Sequence, residues 1–179
     1  MANSLPVAPT PQHLTLKDHR DDPHRVELVA RRLLLGLLTL LALLGLANVF
    51  GQNPSHSTGT GDGATLDVSA PDRLRGGLFY QGRFSIRAKQ DIQKATLLLD
   101  SGWFDSMHIN SYSPEPVASG YRKGKLVLDY GHVAAGDTLV ARLQFQVNAT
   151  NVGYRSQGVE LHDEDVPLAA VDRDVTIFP

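Results

Sequence analysis

The sequence predicts an all-β protein, an antiparallel β-sandwich formed by residues 64–179 and preceded by a single transmembrane α-helix. Three observations predict this fold. Residues 33–50 form an apolar run without a charged side chain. Beyond residue 64 the hydrophobic periodicity changes from helical to alternating, as in strands with one buried face. The alternating segments are short, and turn-forming residues separate them.

The apolar run is predicted to span a membrane. Ten of its 18 residues are leucine, and 18 helical residues extend about 27 Å, close to the thickness of the hydrocarbon core of a bilayer. Lipid offers no hydrogen bonds to the peptide backbone, so the run must be helical. We expect the helix to cover residues 22–50, with Asp22 and Pro23 at its start and Gly51 just beyond its end.

Charged residues beside the apolar run predict its orientation. Beyond the run, no lysine or arginine occurs until Arg73. The basic residues before the run are Lys17, Arg20, Arg25, Arg31 and Arg32. Because positive flanks stay in the cytoplasm, we expect a single-pass protein of the cell membrane with a cytoplasmic N-terminus and an extracytoplasmic C-terminal domain. The lipid bilayer is then its first partner.

A cleaved signal peptide is the alternative interpretation of this segment. Such a peptide also combines a basic region with an apolar run, and Gly45–Ala47 supplies small residues at the usual cleavage spacing. The basic region would be 32 residues long, however, and the apolar run exceeds the usual length. A buried core helix is disfavoured because the run has no polar face. The sequence therefore favours an uncleaved anchor.

The segments on either side of the helix are predicted to have no fold of their own. Residues 1–21 contain three prolines and little to bury, so we expect a disordered cytoplasmic tail. Residues 51–63 are small, polar and rich in glycine. This composition predicts a flexible linker.

The clearest predicted strand is TLVARLQFQVN, residues 138–148, in which apolar and mostly polar residues alternate. The same pattern occurs in RFSIRAKQ, KATLLLD, GKLVLDY, GVELH and AAVDRDVTIFP, and ATLDVSA is predicted to be the opening strand. The residues expected to face the core are Phe84, Ile86, Ala88, Ala95, Leu97, Leu99, Leu126, Leu128, Tyr130, Leu139, Ala141, Leu143, Phe145, Val147, Val159, Leu161, Val175 and Ile177.

Seven or so short strands without an amphipathic helix predict a two-sheet sandwich of immunoglobulin-like size, with a closed barrel as the alternative. The chain has no cysteine, so packing must stabilise the sandwich without a disulfide. The same absence excludes thiolate metal sites and a cysteine nucleophile. A net charge of −2 argues against a nucleic-acid partner.

Two long segments carry a resemblance to a known class of domain: GKLVLDYGHVAAGDTLVARLQFQVNATNVG and GVELHDEDVPLAAVDRDVTIFP. They resemble the bacterial immunoglobulin-like modules of envelope and cell-surface proteins. In such modules a turn leads into a long strand, a glycine-bearing loop and a final hairpin. The resemblance covers residues 65–179 and implies a fold. It implies no catalytic or ligand-binding residue and no specific family.

A candidate partner contact lies in SGWFDSMHI, where Trp103, Phe104 and Met107 follow a turn. If exposed, these residue types are typical of interface hot spots. The other interpretation, which we favour, is that Trp103 fills one end of the sandwich core.

No motif predicts a catalytic, cofactor or metal site. The acidic HDED segment, His162–Asp165, offers oxygen ligands for Ca²⁺, but it lacks the ordered spacing and glycine of a calcium loop and is typical of a solvated turn. His108 and His132 are accompanied by no G-x-S-x-G or H-E-x-x-H motif. We therefore expect no cofactor, no metal and no enzymatic activity.

The function expected from these features is binding. A membrane-anchored β-sandwich would contact an as yet unknown protein, either as an accessory subunit of an envelope complex or as a surface-interaction module. The alternative is an exported domain, released by cleavage after Ala47, that binds a ligand or metal through its acidic loop.

Overall fold

The computed structural model describes residues 25–47, 49 and 53–179. The chain divides into two compact units, Met1–Val49 and Phe50–Pro179. Among the described residues, the first contains helix α1 and the second contains the strands.

Helix α1 runs from Arg25 to Leu46, so it ends four residues before the predicted end. Its most apolar window has a mean hydropathy of 2.0 and none of it is buried. The Thr39 hydroxyl donates to the Leu35 carbonyl at 2.8 Å, which satisfies this polar group within the helix. The helix is long and apolar enough to cross a membrane, a property that a signal sequence shares. The expected tail and the start at Asp22 lie outside the described residues.

The described part of the second unit forms thirteen strands. The first six are β1 (Pro54–Thr60), β2 (Ala64–Pro71), β3 (Arg73–Arg75), β4 (Phe79–Ala88), β5 (Ala95–Leu99) and β6 (Met107–Ser113), with a short 3-10 helix at Ser101–Trp103. The remaining seven are β7 (Ala118–Arg122), β8 (Lys125–Asp129), β9 (Thr138–Val147), β10 (Gly153–Ser156), β11 (Val159–Asp163), β12 (Val166–Val171) and β13 (Asp174–Phe178).

These strands form two five-stranded sheets and one small sheet. The first sheet has the order β1-β2-β4-β9-β6, and the second has the order β12-β11-β5-β8-β7. All pairs within them are antiparallel. The small sheet, β10-β13-β3, contains one parallel pair. The predicted antiparallel sandwich is confirmed. It contains more strands than predicted, because β1, β3, β6, β7 and β10 lie outside the predicted segments and AAVDRDVTIFP contains parts of both β12 and β13.

The core lies between the two large sheets and follows the predicted alternation. In β9, Leu143 and Phe145 are fully buried, whereas the intervening Gln144 is only half-buried. Of the residues expected to face the core, all but Leu139 and Tyr130 are buried, and these two pack against the core. Strand β5, the central strand of its sheet, is buried along its whole length.

Strand β1 corrects one prediction. Much of the expected linker, residues 51–63, is a strand that pairs with β2 over seven residues, from Pro54 opposite Pro71 to Thr60 opposite Thr65. Its composition of serine, threonine and glycine has little strand propensity of its own. The pairing with an apolar neighbour therefore determines its conformation.

Candidate interaction site

Trp103, the first residue of the predicted partner contact, is fully buried. Its ring packs against Phe84 and Phe145 at centroid distances of 5.1 and 5.4 Å. The indole Nε1 donates to the Gln157 carbonyl at 3.0 Å, so its one polar group is satisfied. Trp103 fills the core and offers no surface to a partner.

Met107 is also buried, with 6% of its surface exposed. Its sulfur accepts a hydrogen bond from the Tyr80 hydroxyl at 3.3 Å, and the Gln157 amide donates to that same hydroxyl at 3.2 Å. Burial raises the pKa of Tyr80 far above its ordinary value. These side chains form a polar cluster inside the domain, which excludes Met107 from contact with a partner in this conformation.

Phe104 is the only one of the three that reaches the surface. It is partly buried against the core, and its ring meets Tyr121 of β7 edge-on at 5.3 Å. Tyr121 is 71% exposed. The structure thus separates the three residues of the predicted partner contact. Trp103 and Met107 belong to the core, and Phe104 contacts the open edge of the second sheet.

This open edge is strand β7, all of whose residues are exposed. β7 pairs with β8 on one side, and among the described strands none pairs with its other side. The neighbouring edge strand β6 carries a bulge between Ile109 and Ser111, a feature that discourages further pairing. No such irregularity interrupts the register of β7. Its free backbone groups can accept another strand.

A groove of 470 Å³ lies on the sheet surface beside β7. It is lined by Lys94, Thr96, Ala118, Ser119, Gly120, Tyr121, Arg122, Val127, Asp129, Glu164 and Asp165. Two ion pairs join residues that line the groove. Lys94 Nζ lies 3.3 Å from Asp129, and Arg122 pairs with Asp165. The Gly131 amide also donates to Asp129 at 2.8 Å. The groove therefore presents polar side chains of both signs next to an unpaired strand.

The opposite edge of the second sheet is closed. A Cβ atom on Gly59 of β1 would overlap the Ala170 carbonyl oxygen of β12, and one on Gly61 would overlap that of Leu168. Strand β1 therefore lies directly against the backbone of β12. We call this contact the glycine seam. It leaves β7 as the unprotected edge of the sheet.

The acidic segment His162–Asp165 covers the end of β11 and the two-residue turn to β12. Asp163 accepts a hydrogen bond from the Lys94 amide at 2.9 Å, Asp165 pairs with Arg122, and the His162 imidazole lies 3.0 Å from Glu160. These contacts fix the turn against the sheet. The described residues contain no cluster of three or more His, Asp or Glu side chains that is able to hold a metal ion.

The three histidines of the sequence analysis lie on different elements. His108 is exposed on β6 of the first sheet, and His162 lies on β11 of the second. His132 lies in the loop before β9, with its Nε2 atom 2.9 Å from the Asp91 carboxylate. His132 and His162 thus each pair with a different carboxylate.

Sequence reasoning missed Arg173, which is buried although charged. Its Nη2 atom donates to the carbonyl oxygens of Ala70 and Pro71 at 3.0 and 2.9 Å. Its guanidinium lies 5.2 Å from the centre of the Trp103 ring, and burial lowers its pKa. The signal was present: Arg173 occupies an inward position in the alternation that also places Val175 inside.

Comparison with known proteins assigns no family to the chain. No family model matches it, and no curated protein matches it. Among solved structures it is similar to the CARDB domain of a Pyrococcus furiosus protein. The crystal structure of that domain is 12% identical, with a TM-score of 0.41, and covers 66% of this chain and 91% of that one.

A solution structure of the same CARDB domain has a TM-score of 0.39 and 12% identity, covering 71% of this chain and 97% of that one. A β-glucosidase from Listeria innocua has a TM-score of 0.34 and 14% identity, covering 64% of this chain and 16% of that one. These are weak likenesses without a specific family, as the sequence predicts.

Proposed function

We propose that this chain is a single-pass membrane protein that holds its β-sandwich outside the cytoplasm and binds a protein partner there. The observation that carries the anchor is α1, whose surface from Leu33 to Leu46 is apolar all round the helix and is nowhere buried. A soluble core helix would bury such a surface. Lipid is the environment in which the uncharged, leucine-rich part of this helix, residues 33–46, is stable.

The distribution of charge supports this orientation. Arg31 and Arg32 are exposed on the N-terminal half of α1, and the last turn of the helix carries no basic residue. Positive charge is retained on the cytoplasmic side. The β-sandwich then lies on the opposite side of the membrane.

The partner-binding part of the proposal rests on strand β7. An extended segment of a partner protein would add to the free edge of β7, with main-chain hydrogen bonds providing affinity. Its side chains would lie in the adjoining groove, where Lys94, Asp129, Arg122 and Asp165 provide charges of both signs. This arrangement suits an accessory subunit that binds one segment of an envelope complex. It requires no catalytic group.

Fractionation of cells that express the chain with a C-terminal tag tests the anchor. We expect the tagged chain at full length in membranes after alkaline carbonate extraction, and we expect protease added outside spheroplasts to remove the tag. A soluble exported fragment beginning near Asn48 would identify a cleaved signal peptide and refute the anchor. A tag that resists protease until the spheroplasts are lysed would refute the orientation.

Site-specific photo-crosslinking in intact cells tests the partner site. We expect a crosslinker at Ser119 or Tyr121 of β7 to form an adduct of defined mass, and one at the exposed Thr60 of β1 to form none. Gly120→Glu should abolish the adduct without unfolding the domain, because no atom lies within 4 Å of a Cβ placed there. Equal crosslinking at β1 and β7, or an adduct unaffected by G120E, would refute this site.

A further inference from the structure

The chain enters the β-sandwich at one end of the first sheet. Pro54, the first residue of β1, lies opposite Pro71, the last residue of β2. Strand β3 begins two residues later at Arg73 and forms one edge of the small sheet. The exposed face of the small sheet therefore lies at the end of the domain where the chain enters.

Polarity decreases along this face from Asp174 toward Phe178. The first row, Ser156 opposite Asp174, is polar. In the next row Tyr154 lies opposite Thr176, which in turn neighbours Arg73. Tyr154 is exposed, and its hydrogen bond with Asp174 raises the tyrosine pKa. The middle of the face is thus amphipathic, with an aromatic residue and a cation on either side of Thr176.

The last row is apolar and basic. Phe178 lies beside Arg75 in the parallel pair, and Val152 immediately precedes β10. The turn from β3 to β4 joins this row, because the Gly76 amide donates to the Phe178 carbonyl at 2.8 Å. The large apolar residues exposed here form what we call the end patch: Leu78, Phe79, Val152, Tyr154 and Phe178.

The opposite end of the first sheet differs in composition. It carries small and polar residues at the turns: Asp62, Lys89, Gln90, Ala135 and Asp137. Exposed apolar patches mark contact with a protein or a membrane. Aromatic residues beside arginines are typical of the membrane interface, where the rings enter the acyl boundary and the guanidinium groups reach the phosphates.

We propose that the end patch docks on the surface of the bilayer, where it contacts anionic phospholipids. The proposal rests on the membrane anchor proposed above. Only seven residues, 47–53, separate α1 from β1, and an extended chain advances at most about 3.6 Å per residue. Chain length alone therefore keeps the entry end within about 30 Å of the end of the span.

Charge distinguishes a lipid surface from a protein partner at this end. Arg73 and Arg75 are exposed on β3 and point to the same side as Thr176 and Phe178. Asp72 and Asp174 lie farther from the apolar row, next to the polar one. Cations at the apolar margin match anionic headgroups above acyl chains.

Single-cysteine variants test the proposal, because the chain has no cysteine of its own. Phe79→Cys, Val152→Cys and Phe178→Cys place a bimane label in the end patch, and Ala135→Cys places one at the opposite end. The full-length chain is reconstituted in phosphatidylethanolamine–phosphatidylglycerol vesicles with and without dibrominated acyl chains. Brominated lipid should quench the three patch labels several-fold more strongly than the label at position 135.

A second set of variants distinguishes docking of the end patch from simple proximity of the domain to the membrane. Adding Phe79→Asp and Phe178→Asp to the Val152→Cys chain should reduce quenching to the level of the control label, while the chain still resists carbonate extraction. Patch labels quenched no more than the control would overturn the inference and leave the anchor intact. The same holds for labels shielded from water-soluble iodide but unaffected by brominated lipid, because a protein or a second copy would then cover the patch. Extraction of the unmodified chain by carbonate would overturn the anchor and this inference together.

Discussion

The two edge strands of the second sheet differ in exposure: one edge is covered and the other is open. At one edge, β12 lies against β1 at the glycine seam, where a Cβ on Gly59 would overlap a backbone carbonyl. At the other edge, β7 is exposed throughout, and a Cβ on Gly120 would meet no atom within 4 Å. An unpaired edge is an aggregation hazard that proteins usually cover. This domain covers one edge of the sheet closely and leaves the other edge exposed.

Trp103→Ala should have the largest effect on stability, because Trp103 fills the core of the domain to which both edges belong. Loss of a fully buried indole is expected to destabilise the domain by about 3–5 kcal/mol. The free energy of unfolding, measured by urea titration of the full-length chain in mild detergent, checks this value. The adjacent Phe104→Ala serves as the control and should cost clearly less. Equal costs for the two variants would contradict the assignment of Trp103 to the core.

Gly59→Ala is expected to open the seam. The new methyl group forces β1 away from β12, at a cost of about 2–3 kcal/mol, which lowers the Tm by about 10 °C for a domain of this size. Thermal unfolding followed by circular dichroism measures the shift. Gly120→Ala is the matched change at the free edge and should alter stability by less than about 0.5 kcal/mol. Similar shifts in both variants would remove the contrast between the edges.

We predict that the contact between Phe104 and Tyr121 is the main side-chain packing interaction that holds β7 in place. An edge-on aromatic pair contributes about 0.5–1.5 kcal/mol, and the exposure of Tyr121 places it at the lower end. A double-mutant cycle with Phe104→Ala and Tyr121→Ala should give a coupling of about 0.5 kcal/mol. Additive effects would mean that β7 is held by its pairing with β8 alone.

A further small effect concerns pH and the ion pairs of Lys125, which join β8 to the opposite half of the sheet. Lys125 Nζ lies 2.6 Å from Glu160 and 2.9 Å from Asp100. The hydrogen bond from Lys125 lowers the pKa of Glu160. A lowered folded-state pKa stabilises the fold above the ordinary carboxyl pKa, and this contribution is lost as the pH falls through the folded value.

Lys125→Met should therefore flatten the acid side of the stability profile. Because both side chains are about a third exposed, the loss at neutral pH should be below about 1 kcal/mol. Urea midpoints between pH 7 and the acid transition check this, and Lys123→Met, at an exposed turn position, is the control. An unchanged acid slope in K125M would show that the pair does not contribute.

Alternation predicted the core well, because burial on one face imposes a period of two. This held for β9 and for Phe84 and Ile86 of β4, and it would also have placed Arg173 inside. Strand β1 escaped prediction because its polar, glycine-rich sequence becomes a strand only through pairing with β2 and contact with β12. The groove beside β7 escaped because it joins residues that are distant in sequence, and no local pattern encodes that contact.

The position of β1 as the first paired strand has a mechanical consequence. With the anchor proposed above, a pull on the domain would enter at Pro54 and act along β1, whose seven residues are paired with β2. Such a load shears the whole ladder at once instead of unzipping it pair by pair. A domain anchored as proposed would therefore withstand tension between the bilayer and a partner bound on its far side.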